Sequence, residues 1–372
     1  MMLFMISLLT TYLVLFLFLH RFIDLKPAKV EYNIVKESVA VVIAMRNEEN
    51  RIISCLESIN LSHGFESKLH VYLVDDHSID SSYEKVKERI KQFDQIEVTL
   101  LEAKDIGKKK ALIEVLSMVS ESWCFLTDAD CVVQPDSIRS LIYRAKVQNK
   151  EIAYGPVLYN ITSFSSELMA YENLNTQFVG EALLKFGKPA MVNGANTLLS
   201  KNMISSYIAS QNINYASGDD VFFSQSLGED GYAASYELDS AVITSSPDSM
   251  GSFFNQRLRW ASKYSGYSGG FYKLFPVFIF IQNLSFLFLF ASWVALGFKF
   301  DGLLITLVCK WLIEWAFHSV WFEKYNMRAS FLASFLLTVL QPVHISVVGL
   351  LSLVDLPYDW KGRNVVKQSL ID

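Results

Sequence analysis

Cysteine is scarce: Cys55, Cys124, Cys131 and Cys309 lie far apart in 372 residues with no C-x-x-C spacing, which excludes a disulfide framework and a structural zinc site. They read as reduced residues on the cytosolic side. Positive charge is in deficit, with 33 Lys and Arg against 38 Asp and Glu, which argues against a nucleic-acid binder held by a chain-wide positive field. Only 19% of residues are charged while 51% are hydrophobic, so disorder is excluded and more apolar material remains than one soluble core absorbs. Neither G-x-x-x-x-G-K-[ST] nor G-x-G-x-x-G occurs, which disfavours ATPases and nicotinamide enzymes. The six histidines are scattered without metal-binding spacing.

The apolar surplus is concentrated at the two ends. Met1 to Leu19 carries no charge before Arg21 and is long enough to cross a hydrocarbon layer of roughly 30 Å. It lacks the basic n-region and small-residue cleavage site of a signal peptide, so a retained anchor is expected over residues 1–20. Three more apolar stretches follow the middle: Leu274 to Phe298, Gly302 to Phe322 with Lys310 and Glu314 inside it, and Ala329 to Val354 with Pro342 and His344. They define an expected membrane region at 274–356 and a tail at 357–372. Lys310 and Glu314 are four apart, on one face of a helix, and read as a structural ion pair. Lys324 and Arg328 place the loop before the last stretch inside, and Lys361, Arg363 and Lys367 say the same of the tail beyond it. One crossing does not satisfy both, so a bent hairpin or re-entrant segment broken at Pro342 is expected there.

Residues 21–273 alternate short apolar runs with amphipathic stretches, the pattern of β-α units around a mostly parallel sheet. Val39 to Met45, His70 to Val74, Ile96 to Leu101 and Trp123 to Thr127 are expected to be strands hydrophobic on both faces. Ile52, Ile53, Leu56 and Ile59 recur at helical spacing, Ser81 and Glu84 form a capping-box pattern, and Leu112, Val115, Leu116 and Val119 make a third apolar stripe. No repeat, low-complexity tract or Pro/Gly-rich linker divides the region, so one cytosolic domain is expected.

Ligands of open parallel sheets bind beyond the carboxyl ends of the strands, and polar residues gather there: Arg46, Asn47, Glu48 and Glu49, then Asp75, Asp76, His77 and Ser78, then Asp128 and Asp130. The D-x-D of Asp128 and Asp130 suits a hard cation such as Mg²⁺ or Mn²⁺. Gly107 with Lys108, Lys109 and Lys110 opens a helix and offers donors and ammonium groups to a phosphate. Together they point to a nucleotide diphosphate. Further on, Asp219 and Asp220 precede an apolar helix, and Gln256, Arg259 and Trp260 form Q-x-x-R-W just before the membrane stretch.

In that order, VVIAMRNEE, VDDHS, GKKKAL, TDAD, NGAN, SGDD and QRLRW resemble the membrane-bound family 2 glycosyltransferases, the group of cellulose synthases, hyaluronan synthases and ceramide glucosyltransferases. The resemblance implies an α/β GT-A domain, Rossmann-like, flanked by transmembrane helices. It implies that Ala44, Arg46, Glu48 and Asp76 line the nucleotide pocket, that Lys108 and Asp128 support the nucleotide, and that Asp130 with Asp128 holds the metal. Asp220 matches the acid that deprotonates the acceptor hydroxyl, with Asp219 where the family usually has glutamate. Arg259 would contact the diphosphate, Trp260 the acceptor, and Gln256 would position one of them; Asn196 would border the acceptor pocket. A single base suits in-line displacement with inversion.

The expected activity is transfer of a sugar from a nucleotide-diphosphate donor, foremost a UDP-sugar, to a lipid or lipid-linked acceptor by an integral protein of the cell or inner membrane, without nucleic acid. The alternatives are a processive polysaccharide synthase, a catalytically silent nucleotide-sugar-binding protein, and a metal phosphodiesterase or nucleotidyltransferase, for which Q-x-x-R-W has no use.

Overall fold

The computed structural model describes residues 2–23, 32–190, 192–213, 215, 217–295, 297, 301–325, 327, 330–354, 358–366 and 369–370. Met1, Phe298, Arg328, Ala329 and Lys367, named above, lie outside the described residues. After an apolar helix, α1 (Met2–His20), the chain enters alternating units: β1 (Val39–Met45), α2 (Ile52–Asn60), β2 (Leu69–Asp75), α3 (Ser82–Arg89), β3 (Ile96–Glu102), α4 (Lys108–Leu116) and β4 (Trp123–Asp128). The four strands fall where the apolar runs put them and pair in parallel in the order β3-β2-β1-β4. β3 departs from expectation. It is the sheet edge and only partly buried, because no strand among the described residues covers its outer side. The capping box at Ser81 and Glu84 also does not form; Asp80 serves the helix start instead, accepting from Ser82 N at 3.0 Å.

The stretch after the D-x-D, to which sequence pattern assigned no elements before Asp219, builds the second half. It comprises β5 (Cys131–Val133), α5 (Ser137–Val147), β6 (Ile152–Tyr154), β7 (Val157–Asn160), α6 (Phe164–Lys185), β8 (Thr197–Ser200), α7 (Ile204–Ala209), α8 (Asp219–Asp230), β9 (Ser235–Tyr236), β10 (Val242–Ser245) and α9 (Met250–Ala261). β8 pairs antiparallel with β4, and β6 and β9 complete a seven-stranded sheet; β5, β10 and β7 form a second, smaller one. Strand periodicity sorts the core into two layers. Val41, Ile43 and Met45 join Ile52, Leu56, Ile138 and Leu141 on one face. Ala40, Val42 and Ala44 join Leu112 and Val115 on the other.

That second layer continues into the apolar helices α10 (Gly270–Ala295), α11 (Asp301–Lys324) and α12 (Phe331–Leu351), which with α1 are each long and apolar enough to cross a membrane. The joint is α6. Its Phe178 ring lies 5.9 Å from Phe16 of α1 and 5.6 Å from Phe317 of α11, and Tyr171 lies 4.3 Å from Phe322. The helices therefore share one packed core with the sheet domain rather than hanging from it.

Contrary to the expected break, α12 is a single helix with Pro342 buried inside it. Both its flanks dock on the α/β domain. Before it, Lys324 pairs with Asp239 at 3.5 Å and Ser330 N donates to Glu167 at 3.1 Å. After it, a hairpin of β11 (Tyr358–Trp360) and β12 (Arg363–Val366), extended by β13 (Ser369–Leu370), reaches the carboxyl end of the main sheet. Basic residues on both sides of α12 thus face the same domain.

Between the helices, Lys310 is fully buried and its Nζ donates to Glu314 at 2.5 Å. Glu314 also accepts from Tyr12 of α1 and, at 2.7 Å, from Thr338 of α12. Three helices meet on one satisfied carboxylate, so the pair is structural. Glu314→Ala is expected to destabilise the detergent-solubilised protein by about 3–5 kcal/mol, because it strands a buried ammonium. Lys310→Met combined with Glu314→Leu is expected to restore most of the thermal midpoint; a double variant as unstable as the single would contradict this.

Candidate active site

Parallel pairing sets the level of the strand ends. Ala44 lies opposite Asp128 and Met45 opposite Asp75, so the loops after β1, β2 and β4 open on one cleft of about 270 Å³. At its first end, the Arg46 guanidinium donates to the backbone oxygens of Asp76, at 2.9 Å, and His77. Asp76 accepts from Gly107 N at 2.8 Å, and Glu48 N donates to Ser82 Oγ at 2.7 Å. These bonds tie the loops after β1 and β2 to the start of α4. Asn47 holds a left-handed conformation, φ 51°, and its side chain accepts from Ile79 N, which makes the sharp turn tolerable.

In the middle, Lys108 Nζ sits 2.6 Å from Asp128 Oδ1. Of the three lysines only Lys108 enters the cleft: Lys109 is buried against the Asn212 carbonyl and the Phe222 ring, and Lys110 points outward toward Asp105. Burial, then the charge of Asp128, raises the Asp130 carboxyl above its usual range, against the pull of Arg51 and Lys108. Two close carboxylates with hard oxygens and too little positive charge nearby fit a divalent cation. No cluster of three His, Cys, Asp or Glu exists among the described residues, so the rest of such a coordination shell would come from ligand and water oxygens.

At the far end, Gly218 takes φ 92° to start α8, and Gly194 N donates to Asp220 Oδ2 at 3.3 Å. Asp219 turns inward and accepts from Tyr207 OH at 3.0 Å. Burial acts to raise its carboxyl, but Lys108, Lys109 and Lys263 overcome that and hold it below the usual range. Gln256, Arg259 and Trp260 of α9, and Lys263 in the 3-10 turn that follows it, recur at i, i+3, i+4 and i+7 and line the cleft. Gln256 accepts from Tyr159 OH at 2.9 Å. Arg257, on the opposite side, pairs with Glu172 of α6 and lies 4.1 Å from the centre of the Trp260 ring, fixing the indole.

Twelve of the residues singled out from the sequence line this cleft: Ala44, Arg46, Glu48, Asp76, Lys108, Asp128, Asp130, Asp219, Asp220, Gln256, Arg259 and Trp260. Asn196 does not. Its side chain is fully buried and donates to the carbonyls of Pro156 and Ser240, while Asn193, Gly194 and Ala195 form the wall.

The sequence profile of glycosyl transferase family 2 matches residues 40–208, the stretch from β1 through α7. Residues 40–208 form a glycosyl transferase family 2 domain. Curated relatives include an N-acetylglucosaminyltransferase of Mesorhizobium japonicum, 27% identical over 60% of this chain and 55% of the relative. A second, from Bradyrhizobium diazoefficiens, is 24% identical over 61% and 49%. A poly-beta-1,6-N-acetyl-D-glucosamine synthase of Staphylococcus aureus is 24% identical over 60% and 54%. The chain thus spans about half the length of the curated relatives it matches. Among solved structures, a mannosyltransferase of Pyrobaculum calidifontis in complex with GDP-Man and Mn²⁺ aligns over 95% of this chain and 99% of its own, with a TM-score of 0.60 and 15% identity. That likeness is one of fold, the GT-A fold, and it takes in the apolar helices as well as the sheet.

The cleft also contains residues that motif reading passed over. Lys263, 5% exposed, has no hydrogen bond or ion pair among the described residues, and neither does the Arg259 guanidinium beside it. Lys263 was legible in principle, one helical turn beyond Arg259. Lys361, from the C-terminal hairpin, was not, because only tertiary folding brings it there. Burial pushes the Lys263 ammonium down to about 8, with Asp220 opposing. A lysine whose folded value lies below its ordinary 10.5 destabilises the fold fully below pH 8, and the penalty fades between 8 and 10.5. Lys263→Met is therefore expected to raise the thermal midpoint at pH 7 by roughly 2–4 °C, to raise it less at pH 10, and to lose activity. A lower midpoint at pH 7 would show the ammonium to be stabilising.

Proposed function

We propose that the protein is an inverting glycosyltransferase that moves a sugar from a nucleoside-diphosphate donor, a UDP-sugar foremost, to a lipid or lipid-linked acceptor at the membrane face. The observation that carries this reading is one cleft with carboxylates and Lys108 at the sheet end, unpartnered Arg259 and Lys263 along the wall, and Asp220 and Trp260 in a part also lined by α6 and α9, the two helices that pack on α12. Anionic donor and bilayer-borne acceptor would enter from different sides.

The nucleoside would lie against Ala44, Arg46, Glu48 and Asp76, and Asp128 and Asp130 would hold Mg²⁺ or Mn²⁺. When bound, the cation supplies charge neutralisation to the diphosphate. Lys108, Arg259 and Lys263 add fixed positive charge along the path on which the leaving group gains negative charge. Asp220 takes the proton of the acceptor hydroxyl. The acceptor oxygen then bonds to the anomeric carbon as the bond from that carbon to the diphosphate oxygen breaks, and the electron pair departs with the nucleoside diphosphate. Trp260, held by Arg257, offers a flat apolar face to the acceptor. One base on the acceptor side gives inversion.

Support for a lipid acceptor comes from α6, which lines the cleft through Asn173, Thr176 and Gln177 while its other side packs on α1 and α11. Asp220→Asn is expected to lower turnover at least about a thousandfold while nucleotide binding persists, and Asp130→Asn to lose metal-dependent donor binding. Membranes given labelled nucleotide sugars are expected to yield lipid carrying one added sugar by mass spectrometry. A ladder of oligomers would identify a polysaccharide synthase instead, and unchanged turnover in Asp220→Asn would remove it as the base.

A further inference from the structure

A base that takes the acceptor's proton must lose it again before the next transfer, and a set of buried polar groups lies behind Asp220. Tyr154 ends β6 and Tyr236 ends β9. The two strands run parallel and the two tyrosines are register partners, so their side chains stand side by side on one face of the sheet. They belong to the core layer that also holds Leu183 of α6, Tyr207 of α7 and Phe223 of α8. Tyr154 is 1% exposed and Tyr236 is 8% exposed, and neither hydroxyl has a hydrogen-bond partner among the described residues. In a folded protein such a hydroxyl is satisfied by ordered water.

The pair lies between two acids. Burial, then the charge of Asp220, raises the Tyr154 hydroxyl above its ordinary range, and burial, then Glu181 of α6, does the same to Tyr236. Both therefore remain neutral hydroxyls at working pH, each able to accept one proton while releasing another. Glu181 is fully buried and pairs at 2.6 Å with Lys185 Nζ, one turn further along α6, where 28% of the lysine side chain is exposed. Asp220 opens on the cleft and Lys185 on the outside.

We infer that Tyr154, Tyr236 and Glu181, bridged by ordered water, carry the acceptor's proton away from Asp220. The inference rests on the glycosyltransferase reading above. Protonated Asp220 releases its proton into the chain of tyrosine and water hydroxyls, where each O–H bond that breaks is replaced by one formed on the same oxygen. Glu181 receives the proton that leaves the far end and gives it up to solvent beside Lys185. Asp220 is then a carboxylate again without waiting for the nucleoside diphosphate to clear the cleft. The tyrosines touch neither donor nor acceptor and act through Asp220.

The test compares Tyr154→Phe, Tyr236→Phe and Glu181→Gln with the unaltered full chain in membranes, given whichever of labelled UDP-glucose, UDP-N-acetylglucosamine or GDP-mannose the unaltered protein uses. With protein in excess over donor, the rate of the first transfer is expected to stay within about twofold, because Asp220 starts as a carboxylate. With donor in excess, kcat is expected to fall about tenfold in each variant, with donor KM unchanged and a larger solvent deuterium isotope effect on kcat. Loosened packing would not give that combination. The phenylalanine variants remove hydroxyls that have no protein partner, so their thermal midpoints are expected to hold; if Glu181→Gln does not fold, these two carry the comparison. An unchanged kcat in either phenylalanine variant overturns the inference and leaves the glycosyltransferase reading intact. First-transfer and steady-state rates that fall together also overturn it, and show that the tyrosines place Asp220 instead. If the unaltered protein transfers sugar from no nucleotide sugar tried, the glycosyltransferase reading fails and the inference goes with it.

Discussion

A carboxylate taken out of water keeps its charge only if a cation faces it, and the working half of this protein is organised around that constraint. Five acids, Glu48, Asp76, Asp128, Asp130 and Asp219, are gathered where the strands end, and each has an answering group from another part of the chain. Arg363 and Lys361 come from the C-terminal hairpin, Lys108, which acts on both Asp128 and Asp219, from the start of α4, and Arg51 from the loop before α2. The compensation is incomplete at Asp130 and in surplus at Arg259 and Lys263. A cation beside the first and an anion between the others would complete it, which is the charge pattern of a metal-bound diphosphate.

The same rule operates among the apolar helices. Lys310 and Glu314 are tolerated there because Tyr12 and Thr338 from two other helices complete the carboxylate's hydrogen bonds. The second principle is continuity of packing. The core layer under β1 and β4 runs without interruption through Phe178 and Tyr171 of α6 into α1 and α11. The part of the cleft lined by α6 and α9 is thereby fixed relative to the helices.

Arg257 shows how the two principles meet. Its guanidinium stacks between Phe253 and Trp260 and pairs with Glu172 of α6, so one side chain sets an indole that lines the cleft and also pins α9 to the helix shared with the bundle. Asp219 shows the reverse. It is one residue from the proposed base, yet its carboxylate points inward to Tyr207 and is spent on holding α8 in place. Adjacent residues at a helix start face different directions, and a motif written as letters does not distinguish them.

Local chemistry alone determined much of this protein. Runs of β-branched residues too short for helices gave β1, β2, β3 and β4 to within a residue or so, four long apolar stretches gave the apolar helices, and the parallel pattern put the polar clusters at one end of a sheet. Those signals depend on periodicity and composition within a dozen residues. Tertiary structure decided what depends on distant partners. β3 became an edge because no strand follows it in space, Pro342 stayed inside α12 because neighbouring helices surround it, Asn196 was buried behind the wall it was expected to line, and α6 became the joint between sheet and helices. The hairpin at residues 358–366 had a readable turn, Lys361-Gly362, but its seat over Asp76, nearly three hundred residues earlier, is a matter of charge meeting charge across the fold, and no local pattern encodes that.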